Sequence, residues 1–266
     1  MDKASRGLKI LELIQKNGQV EVTELAKIFN TSEMTIRRDL NALSKTYNVT
    51  RTHGGASIPQ NGAPIIKAET FVEEKILNKE KKDLIAKKAA SLIEPRQRIF
   101  IDPGSTARLV TKYLQNEKKN IVVTNSVAVV DSCLQYDGIS VILLGGMILP
   151  GSRCVMGTTA EEQLRTCSLD AAFIGASAVG NDGKAYDGYS PEAWFKKMIF
   201  DVAEKVYLLV DSTKFNTYDL TAYAHLQQFA GIITDRGIDE KTKAILKKRN
   251  LNLIIADKKQ NAFERT

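Results

Sequence analysis

The stretch NTSEMTIRRDLNALS, residues 30–44, decides how the N-terminal part of the chain is read. Ile36, Leu40 and Leu43 recur at i, i+4 and i+7, which predicts a helix through MTIRRDLNALS with that stripe inward. At about 100° per residue, the same setting turns Met34, Thr35, Arg37, Arg38 and Asn41 outward, with Arg38 nearly opposite the stripe. The four-residue break Asn30–Glu33 ahead of it offers a helix cap in Thr31 or Ser32. An Arg-Arg pair on a helix is usually solvated surface. Here it follows a capped, tight break between two helices, which gives it a second meaning. The arginine fork matches guanine edges, asparagine matches adenine, and threonine reaches a phosphate or a thymine methyl.

Working outward, Arg6 to Lys16 places Leu8, Ile10, Leu11, Leu13 and Ile14 on a broad apolar stripe, closed by Asn17-Gly18 as a C-cap. Val20 to Val22 reads as a short extended piece. Thr23 then caps a helix through ELAKIF, with Leu25, Ala26 and Phe29 inward. Beyond residue 44, VTRTHGGA (49–56) reads as a strand turning at Gly54-Gly55. Helix, short strand, helix, tight break, helix and hairpin is the order of a winged helix-turn-helix. A plain three-helix interaction bundle is the alternative, and the outward row on the third helix favours DNA. Arg51 and His53 extend a wing toward backbone or minor groove.

The segment Arg6-x3-Ile10-x3-Ile14-x17-Ser32-x2-Thr35-Ile36-Arg37-Arg38-Asp39-Leu40 closely resembles the N-terminal signature of the DeoR family of bacterial transcriptional repressors. The resemblance implies that Thr35, Arg37 and Arg38 are recognition-helix residues, with Ser32 opening the helix. Asp39 belongs to the motif as well, and its sideways position suits orienting an arginine. The DNA-binding set expected is therefore Ser32, Met34, Thr35, Arg37, Arg38, Asn41, Arg51 and His53, within a domain spanning 1–57.

SIPQNGAP (57–64) has Pro, Gly and Asn without periodicity and reads as a linker. Residues 58–80 are expected to hold that linker and the start of a connecting helix. Glu69 to Ile93 reads as charged and helical, and its lysines (Lys79, Lys81, Lys82, Lys87, Lys88) as a solvated face.

From residue 98 onward, apolar β-rich runs alternate with helical stretches: 98–102, 120–124, 139–144, 170–176, 205–211, 230–235 and 251–256. That alternation predicts an α/β domain over 81–266 with a mainly parallel sheet buried on both faces. Ligands of such sheets gather beyond the carboxyl ends of the strands. Those ends are polar or glycine-rich here: Asp102 to Thr106, Thr124 to Ser126, Gly145-Gly146 and Asp211 to Phe215. Hydroxyls and backbone N–H groups at helix starts suit an anion. Four such pieces on one rim point to a small phosphorylated, hydroxyl-rich ligand. Neither G-x-x-x-x-G-K-[ST] nor G-x-G-x-x-G occurs, which disfavours nucleotides.

The pieces DPGST (102–106), VTNS (123–126), LGG (144–146), DAAFIG (170–175), EAWFKKM (192–198) and VDSTKF (210–215) look like the C-terminal effector domain of DeoR-type regulators. That domain is similar in fold to ribose-5-phosphate isomerase and the CoA transferases. The resemblance covers residues 6 to about 256 and implies a sugar-phosphate effector. It places Asp102, Gly104, Ser105 and Thr106 at the phosphate end, with Asn125, Ser126, Gly145 and Gly146 on the same rim. Lys196 and Lys214 are charge partners, and Glu192 is a hydroxyl acceptor. One departure stands out: many relatives have an aspartate soon after the F-x-G run, where this chain has Ser177, with Asp182 and Asp187 downstream. An isomerase or transferase with an appended helix-turn-helix, using Glu192, Asp211 or Asp102 as acid or base, is the alternative function, and this departure weakens it. Trp194, Met198 and Val202 fall on an i, i+4, i+8 row and are expected in the core.

Composition agrees with this division. The 266 residues are 43% hydrophobic and 26% charged, which excludes a fully disordered chain. The net charge is +7, and residues 1–60 hold nine basic and six acidic side chains, so placement of charge matters more than its sum. Two histidines exclude a His-rich metal site, and three scattered cysteines read as thiols of a reducing cytoplasm. No apolar run approaches the roughly 20 residues of a membrane span. The expectation is a cytoplasmic repressor, not an enzyme, without cofactor or metal. It binds double-stranded operator DNA and a phosphorylated sugar as a homodimer or homotetramer.

Overall fold

Gly55 sets the spacing of the first sheet: a Cβ there would lie 1.8 Å from the Val20 carbonyl oxygen. The computed structural model describes residues 6–7, 9–10, 13–14, 17–46, 49–57, 78–149 and 153–257. The described residues among 6–17 are helical and end at Gly18, whose φ of 76° and N–H bond to the Ile14 carbonyl (2.8 Å) close that helix. Then follow β1 (Gln19–Glu21), α1 (Val22–Ile28), α2 (Glu33–Thr46), β2 (Thr50–Arg51) and β3 (Gly55–Ser57). The three strands pair antiparallel in the order β1-β3-β2, so the β2–β3 hairpin is the wing. Ile10, Ile14, Leu25, Ile36, Leu40 and Val49 are central to this unit's core.

Two polar details orient this small unit. Thr23 does not cap α1, contrary to the sequence expectation. The helix starts two residues earlier, at Val22, and the Val22 N–H donates to the Gly54 carbonyl at 2.8 Å, so the wing backbone supplies the cap. Asp39, 3% exposed, accepts from Arg6 Nε at 2.6 Å. This pair ties the first helix to α2 and fixes which face of α2 looks out.

The chain from 58 to 77, which includes most of the expected linker and the first part of the expected charged helix, lies outside the described residues. Beyond it, α3 (Lys79–Ala90) leads into β4 (Arg98–Ile101), a 3-10 helix at Ala107–Tyr113, and β5 (Ile121–Thr124). Next come α4 (Val127–Cys133), β6 (Ser140–Leu143), β7 (Met147–Ile148), β8 (Val155–Met156), α5 (Thr158–Arg165) and β9 (Leu169–Gly175). The remainder is β10 (Ala178–Val179), β11 (Lys184–Asp187), α6 (Ser190–Val202), β12 (Ala203–Leu209), β13 (Thr221–His225), β14 (Gly231–Asp235), α7 (Glu240–Lys248) and β15 (Leu253–Ala256).

The seven expected apolar runs form one sheet in the order β15-β14-β12-β9-β4-β5-β6, with every neighbouring pair parallel. Alternate residues of each central strand serve two separate cores. Ile99, Ile101 and Phe173 pack with Ile85, Ala89 and Val110 on one face. Phe100, Ala172 and Ile174 pack with Leu164, Phe195 and Ile199 on the other. This two-sided burial is why the strands read as unbroken apolar runs. The second face also carries a three-stranded antiparallel sheet, β10-β11-β13. Chain order runs outward through β4, β5 and β6 on one side and through β9, β12, β14 and β15 on the other. The direction of winding therefore reverses between β4 and β9.

Two expectations about helix faces are corrected. Trp194 is 62% exposed, and α6 buries Ala193, Phe195, Lys196 and Ile199 instead. Lys196 is drawn inward by two carboxylates, and that rotation leaves Trp194 on the outer flank. Lys82 is 3% exposed, so the lysine run of α3 is not wholly a solvated face. No described helix is long and apolar enough to cross a membrane.

Gly55→Ala is expected to force β1 and β3 apart and to destabilise the wing by about 2 kcal/mol. Amide hydrogen exchange should then accelerate at Val20 and Ala56 and stay unchanged in β9. Equal protection of Val20 and Ala56 in both proteins would contradict the close approach.

Candidate functional site

On α2, Ile36, Asp39, Leu40 and Leu43 face inward. Met34, Arg37, Arg38 and Asn41 are exposed, and Thr35 is half-buried. Ser32 opens the helix: its Oγ accepts the Thr35 N–H at 3.2 Å and lies 2.9 Å from Thr35 Oγ1. The helix is thereby pinned at its first turn, where side chains meet base edges in helix-turn-helix proteins. Arg37 lies 3.5 Å from Glu33, a loose exposed pair that a phosphate can displace. Arg51 donates to the Gly55 carbonyl and so closes the wing it stands on. His53 is exposed in the wing's turn.

The second site lies where the sheet reverses. In open α/β sheets, the loops after the two strands at such a point diverge and leave a crevice beyond their carboxyl ends. Here those loops start at Asp102 after β4 and at Gly175, the last residue of β9. Asp102 Oδ2 accepts the N–H of Gly104 (3.1 Å) and of Gly175 (3.2 Å), bridging the two strand ends. A Cβ on Gly104 would stand 2.7 Å from that oxygen, so glycine is what lets the loop fold back.

Lys196 enters the same place from α6. Its Nζ donates to Asp187 Oδ2 at 2.6 Å and to the Gly175 carbonyl at 3.1 Å, and it lies 3.5 Å from Asp102. Tyr223 Oη donates to the same carbonyl at 2.8 Å. Burial works against the lysine's charge, but Asp102 and Asp187 outweigh it and hold its pKa well above the ordinary range. Burial, aided by the charge of Asp187 and opposed by Lys196, lifts Asp102 above the usual carboxylate range.

The other strand ends complete the rim. After β12, Asp211 Oδ1 accepts the Thr213 N–H at 3.0 Å. Its Oδ2 is buried with no hydrogen-bond partner among the described residues. At the end of β14, Asp235 accepts the Ser212 N–H (2.7 Å) and hydroxyl (3.0 Å). After β5, Asn125 donates to the Val155 carbonyl at 3.2 Å, and its buried Oδ1 likewise lacks a partner among the described residues. Buried polar atoms left unsatisfied are rare, and at a strand-end rim they suit a bound polar molecule or water.

The structure distributes the expected residues unevenly. Asp102, Gly104, Ser105, Thr106 and Lys196 meet at the reversal point, with Asn125 one strand away. The Asp102 carboxylate is turned inward onto backbone N–H groups. Ser126 Oγ caps α4 by accepting from Val129 N–H at 3.3 Å. Gly145, bonded to Gln163 at 2.6 Å, and Gly146 follow the edge strand β6, two strands from the reversal. Glu192 lies in the first turn of α6, and Lys214 in a 3-10 turn after β12.

Of the acids near Ser177, only Asp187 reaches Lys196; Asp182 instead accepts from the Tyr186 hydroxyl at 2.6 Å. Ser177 itself donates to the Tyr186 carbonyl at 3.1 Å. The sequence reading missed Lys82, whose Nζ lies 3.0 Å from Ser105 Oγ. Its signal was present, since 82, 85, 86 and 89 follow a buried helical stripe. Tyr223 gave no local signal. Among the described residues no group of His, Cys, Asp and Glu is arranged to hold a metal ion.

Residues 6–61 match the DeoR-like helix-turn-helix domain, and residues 77–236 match the DeoR C terminal sensor domain. The chain is similar to the lactose phosphotransferase system repressor of Lactococcus lactis subsp. lactis. The two are 37% identical over 241 residues, which is 90% of this chain and 93% of that protein. It is also similar to the glycerol-3-phosphate regulon repressor of Escherichia coli (strain K12), at 28% identity over 88% of this chain and 92% of that one. Among solved structures, ribose 5-phosphate isomerase A from Methanocaldococcus jannaschii is 22% identical with a TM-score of 0.39, covering 52% of this chain and 55% of its own.

Lys196→Met removes the cation between two buried carboxylates and is expected to destabilise the C-terminal domain by about 3–5 kcal/mol. A large drop in the urea midpoint, partly reversed by adding Asp187→Asn, supports the network. An unchanged midpoint contradicts it.

Proposed function

The chain belongs to the DeoR family of bacterial transcriptional regulators, and from that premise we propose a repressor of a sugar-metabolism operon, switched by a phosphorylated sugar. DNA binding rests on one observation above all. The exposed row of α2 combines Arg37, Arg38 and Asn41 behind a helix start pinned by Ser32. Arg38 and Asn41 are the base-reading candidates, Thr35 and Arg37 the candidates for phosphate contact, and Arg51 and His53 the wing's contribution. A homodimer or homotetramer fits paired operator half-sites.

Support for the effector comes from the crevice at the sheet reversal. The Gly104–Thr106 loop offers hydroxyls and backbone N–H groups to a phosphate, and Asn125 and Asp211 present unsatisfied oxygens to sugar hydroxyls. Both relatives named above are repressors, one of a lactose phosphotransferase system and one of a glycerol-3-phosphate regulon. We read the crevice as a sensor and not as an active site. Asp102 is committed to two N–H groups and Lys196, and Asp187 to Lys196, so these carboxylates serve structure rather than proton abstraction. The reading places the protein in the cytoplasm with the DNA, without a cofactor.

The ligand changes operator affinity only by binding the two states of the protein unequally. A tenfold change corresponds to about 1.4 kcal/mol of coupling. A gel-shift on DNA upstream of the protein's own transcription unit, with a sugar-phosphate panel, tests this. A change in operator affinity caused by one compound supports the reading. Failure to bind DNA at low salt, together with steady turnover of a sugar phosphate, would instead establish the enzyme.

Two variants test the two sites separately. Arg38→Ala is expected to weaken specific operator binding by about 1–3 kcal/mol and to relax base preference at one position of each half-site. Unchanged affinity and preference would show that α2 docks in another orientation. Thr106→Val should abolish the sugar-phosphate response and leave operator affinity intact, and a response of wild-type size would remove Thr106 from the site.

A further inference from the structure

We propose that the open edge of the large sheet, strand β6 with β7 after it, is the face through which two copies of this chain associate. The inference gives a surface to the oligomer of the repressor reading above, and rests on that reading only for the expectation of more than one copy. Strand β6 (Ser140–Leu143) ends the seven-stranded sheet and pairs on one side alone, with β5. The Ser140 N–H donates to the Asn120 carbonyl at 3.2 Å, and the Leu144 N–H to the Thr124 carbonyl at 2.9 Å. Backbone groups alternate in direction along a strand. Val141 and Leu143 therefore turn their N–H and C=O groups away from β5, and no described strand of the sheet lies beyond them.

The side chains at this edge are as open as its backbone. Ile142 (49% exposed) and Leu143 (40%) stand on opposite faces of the strand, and Met147 (67%) and Ile148 (55%) follow on β7. Together they expose about 400 Å² of apolar side chain, in the range of the largest patch that a typical monomer leaves open. Edges that stay unpaired are blunted by charge, proline or a bulge. This one is not: GISVILLGGMIL, residues 138–149, has no charged side chain and no proline. Its register with β5 runs unbroken from Ser140 to Leu143. The opposite edge of the sheet differs, since no residue of β15 is exposed.

Geometry, charge and area select a second copy of the chain as the occupant. A strand edge is self-complementary: two β6 strands meeting antiparallel across a two-fold axis exchange N–H···O=C bonds from the same residues on each side. The stretch is neutral, so a copy meets no like charge there, and a nucleic acid or a charged peptide finds nothing to pair with. Asp131 on α4 and Arg153 after β7 already pair with each other at 2.8 Å. Doubled across the axis, and with the strand edges added, the apolar patch buries about 1,000 Å², the lower range of specific interfaces. Strand β6 stands two strands from the sheet reversal, so association through it leaves the crevice open.

Sedimentation velocity over a concentration series of the full-length protein tests this. The wild type is expected to self-associate, Ile142→Lys and Met147→Lys to weaken that association at least tenfold, and Ile142→Leu to behave as wild type. In the wild type, amide exchange at Val141 and Leu143 should slow as rising concentration drives association, a measurement that stands even if a lysine variant folds poorly. Association of wild-type strength in both lysine variants overturns the inference and leaves the oligomer reading standing. Exchange at Val141 and Leu143 that ignores concentration while the protein associates does the same. Unchanged association with weaker operator binding in Ile142→Lys would assign the face to another occupant, the chain's own DNA-binding unit included, and overturns it too. A wild type that stays monomeric at every concentration and on operator DNA overturns the oligomer reading and the inference together.

Discussion

Lys196 places one positive charge between Asp102 and Asp187 in a space where all three side chains are buried. Charges are expensive to bury, and the cost is offset only when the geometry satisfies nearly every donor and acceptor. Here the lysine also bonds the Gly175 carbonyl, and Asp102 takes two backbone N–H groups. Much else follows from this arrangement. It fixes the rotation of α6, clamps the loop after β4 to the end of β9, and anchors β11 and, through Tyr223, β13. The crevice is thereby organised before any ligand enters, which lowers the ordering cost of binding. The N-terminal unit repeats the device on a smaller scale, with Arg6 and Asp39 setting which face of α2 meets solvent.

On the proposed reading, the two polar anchors divide the work of a switch. One holds a reading surface whose exposed arginines can exchange weak contacts for phosphates and base edges. The other holds a crevice whose loop offers hydroxyls and N–H groups. On the same reading, a ligand shifts the balance between two states while the cores that carry most of the stability stay closed.

The fold was legible where burial is simple. Strands covered on both faces read as unbroken apolar runs, and all seven runs became neighbours in one parallel sheet. The outward row of α2 was legible because Ile36, Leu40 and Leu43 leave only one way to turn the helix. The sheet β10-β11-β13 was not, since its strands are short and mix polar with apolar residues. Thr23 looked like a cap because capping was sought among side chains, whereas the wing backbone performs it. Trp194 was placed inward on size and spacing, but a lysine pulled by two carboxylates outranked it. Lys82 shared the buried stripe of α3 and was hidden in a run of solvated lysines. Its role, like that of Asp187, depends on a strand end distant in sequence, which no local pattern reports.

Coupling between operator and effector is the central claim, and binding linkage tests it most directly. Calorimetry would measure the affinity of the active sugar phosphate for the free protein and for the protein saturated with operator duplex, at one salt concentration. The account predicts that the two affinities differ by the same factor by which the sugar phosphate changes operator affinity. Equal affinities for the free and the operator-bound protein, with operator affinity unmoved by the compound, would contradict it.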